Sequence, residues 1–133
     1  MNASIDESIR KRIERAVRSL VKYGYGEICS NIENELGLCL YYYKRGEDAF
    51  YLGVRGLKWN EEKIFFKDIS KVGFASLREI TQLGSDAKNK DMDIELSLRN
   101  GERIKMIFTF PVFSILATLL HQLAELSENQ RNF

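Results

Sequence analysis

Side chains capable of covalent or acid–base chemistry are few here, and their spacing matches no familiar catalytic pattern. The single histidine, His121, sits in a Leu-rich stretch near the end of the chain. A lone histidine there reads as a boundary residue at the edge of a packed face rather than a general base. The two cysteines, Cys29 and Cys39, are not in a CxxC pair. They could form one disulfide, but without an export signal they read as two reduced, partly buried thiols. No GxSxG, HExxH or GxxxxGK[ST] occurs, so a nucleophile elbow, a zincin site and a phosphate-cradling loop all lack their signatures. Carboxylate pairs such as Glu61–Glu62 and Asp91/Asp93 fall in turns or on wet strand faces, without the burial that acid–base catalysis uses. The expectation is a non-enzyme with no catalytic residues, no cofactor and no metal.

The remaining chemistry is that of charge. Across 133 residues, 20 Lys and Arg face 19 Asp and Glu, a net charge of +1 that disfavours a globally electrostatic nucleic-acid or membrane binder. The distribution is uneven: residues 1–22 hold six cations and three acids. Gly53-Val54-Arg55-Gly56 spells GxxG, but strands are expected on both sides of it, so the glycines read as easing a tight turn rather than clamping RNA. In Tyr41-Tyr42-Tyr43, strand alternation puts Tyr42 on one face and its neighbours on the other, half core and half surface.

These residues need a scaffold, and the sequence outlines one. Ile5, Ile9, Ile13, Ala16, Val17, Leu20 and Val21 recur at spacings of three and four, the stripe of an amphipathic helix. Ser4 and Glu7 have the spacing of a capping box, and Gly24 is placed to stop the helix. Residues 23–36 are ambiguous, with Ile28, Ile32 and Leu36 at the period of a short helix. From Gly37 the pattern becomes short runs of aromatic and branched residues: 37–43, 49–54, 57–60, 63–66, 69–74 and, less clearly, 78–83. A polar loop, 84–91, precedes two alternating strands around Asn100-Gly101, a strong hairpin signal. Pro111 then opens a Leu-rich helix, and the tail 127–133 reads as polar and frayed. No apolar run approaches the ~20 residues that span a bilayer. A signal peptide's apolar core of about 7–15 residues is also missing, so a cytoplasmic protein is expected.

One helix, about seven short antiparallel strands and a closing helix give an α+β chain. The stretch 50–74, FYLGVRGLKWNEEKIFFKDISKVGF, resembles the pleckstrin-homology (PH)-like superfamily: a strand, a Gly-Leu turn into a second strand, a charged turn, and a strand ending in Asp-Ile-x-x-Val. The closing helix 111–126 is similar to the one that plugs one end of that barrel. The resemblance implies a PH-like antiparallel barrel of about seven strands over residues 37–127, with a C-terminal capping helix. Residues 1–24 are then an added N-terminal amphipathic helix, and 128–133 a polar tail, all within one compact domain. Since such a fold hosts many functions, function rests on surfaces.

The leading expectation is a non-catalytic module that binds a partner protein, as an adaptor, an inhibitor or an immunity-type protein. The contact residues expected are Arg10, Arg15 and Arg18 on the first helix, Lys44 and Arg45 at a turn, Arg55 and Lys58 beyond it, and Lys88 and Lys90 in the polar loop. The alternative is a peripheral membrane module. Lys44, Arg45, Arg55 and Lys58 occupy places comparable to the headgroup-binding cations of the PH family, although Glu47 and Asp48 share that turn and repel phosphate. Nucleic acid is not an expected partner. The apolar stripe of the first helix must be buried on the chain's own body, on a partner, or on a second copy as a homodimer.

Overall fold

The computed structural model describes residues 2–28, 33–34, 36–74, 91–109 and 112–131. The helix α1 (Asn2–Lys22) is followed by β1 (Glu33–Asn34), β2 (Gly37–Arg45), β3 (Asp48–Gly53), β4 (Gly56–Trp59) and β5 (Glu62–Phe65). A 3-10 turn, Phe66–Asp68, leads into β6 (Ile69–Phe74), and β7 (Asp91–Leu98), β8 (Arg103–Thr109) and the helix α2 (Val112–Arg131) complete the chain. All pairings among the described strands are antiparallel. The meander β2-β3-β4-β5 carries the two-residue β1 on its β2 edge, and β6-β7-β8 form a separate three-stranded sheet. The protein is therefore α+β with two antiparallel sheets, and no ladder joins the two sheets into a closed barrel among the described residues.

Alternation decides which side chains go inside. Tyr41, Phe50, Leu52, Leu57, Trp59 and Ile64 come from the first sheet and Met92, Ile94, Leu96, Met106 and Phe108 from the second, and all are buried in one core. Phe108 joins the layers, its ring centroid lying 5.4 Å from both Phe50 and Trp59 in edge-to-face contacts. At the rim, Arg45 Nη2 on β2 donates to Asp91 Oδ1 at the start of β7, 2.5 Å away. The helix α2 lies on the second sheet and buries Val112, Phe113, Leu116, Leu119, Leu120 and Leu123.

The helix α1 packs on α2 and on β2, burying Ile9, Ile13, Val17 and Leu20. The chain thus covers this stripe itself, and a homodimer through α1 would have to use the helix's charged side. Gly24, at φ 85°, ends α1 as expected. Tyr25 N–H donates to the Leu20 carbonyl (2.8 Å) and Gly24 N–H to Val21 (3.1 Å), the paired bonds of a Schellman stop. The start differs: α1 begins at Asn2, ahead of the Ser4–Glu7 capping box, since helix ends wander by a residue or two from their strongest cap signal. At the far end, α2 continues to Arg131 instead of fraying after Leu126, and Ser127 is buried on the stripe of Leu120 and Leu123.

The Asn100-Gly101 hairpin forms with a longer turn than the dipeptide alone suggests. Gly101, φ 95°, donates its N–H to the Leu98 carbonyl, and Leu98 N–H donates to Glu102. This is a three-residue loop with glycine in the left-handed position, not a two-residue turn. The GxxG segment is a turn between β3 and β4, clamped by Arg55 N–H donating to the Leu36 carbonyl at 2.8 Å. A side chain on Gly56 would meet the Ile64 carbonyl at 2.3 Å, so only glycine lets β4 approach β5 there. The expected strand at 78–83 and most of the loop 84–91, including Lys88 and Lys90, lie outside the described residues, as do 29–32 and 35 of the ambiguous stretch. Of the rest of that stretch, Glu27 bridges to Tyr42 and Ile28 stands exposed.

Candidate functional site

An open groove between α1 and α2 gathers cations from one helix and apolar side chains from the other. Its first part, about 440 Å3, is lined by Ser8, Lys11, Arg12, Arg15, Ala16 and Gln122. Its continuation, about 320 Å3, shares Ala16 and Gln122 and adds Ser114, Ile115, Thr118 and Leu119 from α2. The helical repeat explains this division. Ile9, Ile13, Val17 and Leu20 point into the core, so Arg12 and Arg15, offset from that stripe, stand along the seam with α2. Ala16 and Ser114 are small, and the seam stays open beside them.

The cations of α1 are unequally matched. Arg10 pairs with Glu14 at 2.6 Å, and Lys11 reaches Glu7 at 3.8 Å. Arg12 Nη1 donates to the neutral Gln122 Oε1 on α2 at 3.2 Å, which ties the helices without cancelling the charge. Arg15 and Arg18 are exposed and make no ion pair among the described residues. Positive potential is therefore concentrated at one end of the groove, and Ile115 and Leu119 give an apolar end.

Among the described residues, the structure does not bring Lys44, Arg45, Arg55 or Lys58 to this place. Arg45 is engaged with Asp91. Lys44 is exposed near the β2–β3 hairpin, whereas Arg55 is in the β3–β4 turn at the opposite end of β3. Six extended residues separate those ends, roughly 20 Å. Lys58 lies on the outer face of β4 with its Nζ 5.8 Å from the Tyr51 ring centre. Tyr51 in turn faces Tyr42 across the strands at 4.6 Å, while Tyr41 is wholly buried, as the alternation of the tyrosine run anticipates. The four cations of the headgroup alternative thus form no single cluster.

His121 is half exposed on α2, where its Nε2 lies 3.1 Å from Glu125 Oε1 and its ring 6.4 Å from Phe74. Among the described residues no group of three or more His, Cys, Asp or Glu side chains is placed to hold a metal ion. No described helix is long and apolar enough to cross a membrane. Cys39 differs from the sequence expectation of reduced thiols: it is disulfide-bonded, and the chain's other cysteine, Cys29, lies outside the described residues. The sequence allows one disulfide, and it was the missing export signal, not the spacing, that pointed to reduced thiols.

Lys11, Arg12 and Gln122 were not singled out as contact residues by sequence reasoning. Lys11 and Arg12 were visible on the charged side of the first helix, but only its contact with α2 distinguishes a groove wall from a solvated face. Gln122 carries no signal in the sequence. No family model, no curated protein and no solved structure matches this chain.

Proposed function

We propose that this protein is a non-catalytic binding module for a partner protein, built on a PH-like layout and engaging its partner through the exposed side of α1 and the adjoining groove. The observation that carries this reading is the convergence of Lys11, Arg12 and Arg15 on a groove that continues onto an apolar floor. Charge gives steering and register, and apolar contact gives a complex its lifetime. The PH-like part of the proposal is supported by the order of elements: a four-stranded meander, a three-stranded sheet and a C-terminal helix packed on the second sheet. Adaptor and inhibitor roles both use such a surface. The spread of Lys44, Arg45, Arg55 and Lys58 over both ends of the first sheet favours a protein partner over a lipid headgroup. A cytoplasmic setting belongs to the proposal only if the Cys39 disulfide opens there, since reducing compartments keep thiols reduced.

A photo-crosslinking amino acid at Arg18, exposed on α1 one turn beyond Arg15, tests this reading in host lysate, with one at Lys71, exposed on β6, as control. The expected result is a discrete protein adduct at position 18 and none at position 71. Equal labelling at both positions, or no protein adduct, contradicts it.

A further inference from the structure

We infer that the occupant of the α1–α2 groove is an acidic, amphipathic segment of the partner protein, its carboxylates on Arg12 and Arg15 and its apolar residues on Ile115 and Leu119. This deepens the binding-module reading and rests on it. The argument is one of complementarity along a line. At one end Arg15 has no acid within ion-pair reach among the described residues, and Arg12 is held only by the neutral Gln122, so their charge is available to a ligand. The acids on that face, Glu7 and Glu14, are committed to Lys11 and Arg10 on their own helix.

At the other end the surface changes character. Leu119 is almost fully buried and Ile115 partly so, and they floor the groove where the cations stop. Thr118 is exposed there, but its hydroxyl donates back to the Ser114 carbonyl at 3.2 Å. That donor is satisfied within α2 and places little polar demand on a ligand. Ala16 sits where the two ends meet, and its methyl group lets a helical or extended backbone approach closely. A segment of one charge sign followed by apolar residues at helical spacing matches both ends at once. A phosphate-bearing surface would match only the basic end, and a purely apolar helix would leave the two arginines facing it unpaired.

The test is selection of a random-peptide display library on the intact full-length protein, read against two variants. Ala16→Trp fills the middle of the groove, and the double variant Arg12→Glu with Arg15→Glu reverses its charge; both are first shown by circular dichroism and thermal melting to fold like wild type. The expected consensus has at least two Asp or Glu residues next to apolar residues three or four positions apart. Binding to the enriched peptides should fall about tenfold or more on either variant and weaken with salt. If one variant fails to fold, the other decides. Three outcomes overturn the inference: basic or uncharged consensus peptides, peptides that bind Ala16→Trp as well as wild type, and no enrichment. Binding of phosphatidylserine-containing vesicles that charge reversal abolishes would overturn it as well, and would assign the basic end to a membrane. Peptides that bind away from the groove would leave the binding-module reading standing. Absence of both peptide enrichment and a protein adduct at position 18 would remove both.

Discussion

Tyr41 joins the core to the turn after α1, and its chemistry makes that link measurable. The side chain is fully buried, and its hydroxyl donates to the Tyr25 carbonyl. Burial pushes its ionisation well above the ordinary tyrosine value, with the neighbouring Tyr43 adding to the shift. The neutral form is therefore the one that folds. Below the ordinary value of about 10, folded and unfolded chains are both protonated at this site and its contribution is complete. Above it the unfolded chain releases the proton while the folded chain holds it, so stability falls as pH rises. Tyr41→Phe should cost about 1 kcal/mol at neutral pH through the lost hydrogen bond. It should also flatten the loss of stability between neutral and strongly alkaline pH, as urea midpoints across that range will show. The alternation of the tyrosine run was legible from the sequence, but the bond to Tyr25 was not, because it joins residues 16 apart through the fold.

Elements were more legible than the contacts between them. Strand segments, the hairpin and both helices follow from periodicity and punctuation, and Gly24 stops α1 through the local bonds its position suggests. Local pattern is weaker where a neighbour decides. The stripe of α1 reads equally as a surface for this chain or for another, and only packing on α2 and β2 assigns it. The polar residues after Leu126 read as a tail, yet Ser127 falls on the buried side of α2 and the helix continues past it. Ile13, with no exposed surface at the centre of the α1 stripe, tests this docking. Ile13→Ala should cost about 2–5 kcal/mol in equilibrium unfolding, in a single transition with the rest of the protein. A loss under about 1 kcal/mol, or separate melting of α1, would mean that the helix is not part of the core.

At the scale of the whole molecule, the two sheets and two helices of the described residues close around one core that reaches from Ile13 of α1 to Phe108 of β8. The groove is a product of that assembly: α1 supplies the cations and α2 the apolar floor, so neither helix alone contains the site. This is why sequence reading reached the arginine side of α1 but not its counterpart on α2; the cysteines were read as reduced for a different reason, the missing export signal. The disulfide at Cys39 predicts that Cys39 takes up an alkylating agent only after reduction, which peptide mapping of the natively isolated protein will show. Alkylation of Cys39 without reduction would contradict the bond and favour a reducing compartment.

The central claim is that the α1–α2 groove binds a protein. Its most direct test is quantitative capture from native lysate with two baits, the wild-type chain and the chain carrying Arg12→Glu and Arg15→Glu, matched for thermal stability. The account predicts one dominant, stoichiometric protein partner on the wild-type bait, reduced about tenfold or more on the charge-reversed bait and released by salt. The same proteins at the same level on both baits, or anionic lipid alone on the wild type, would contradict it.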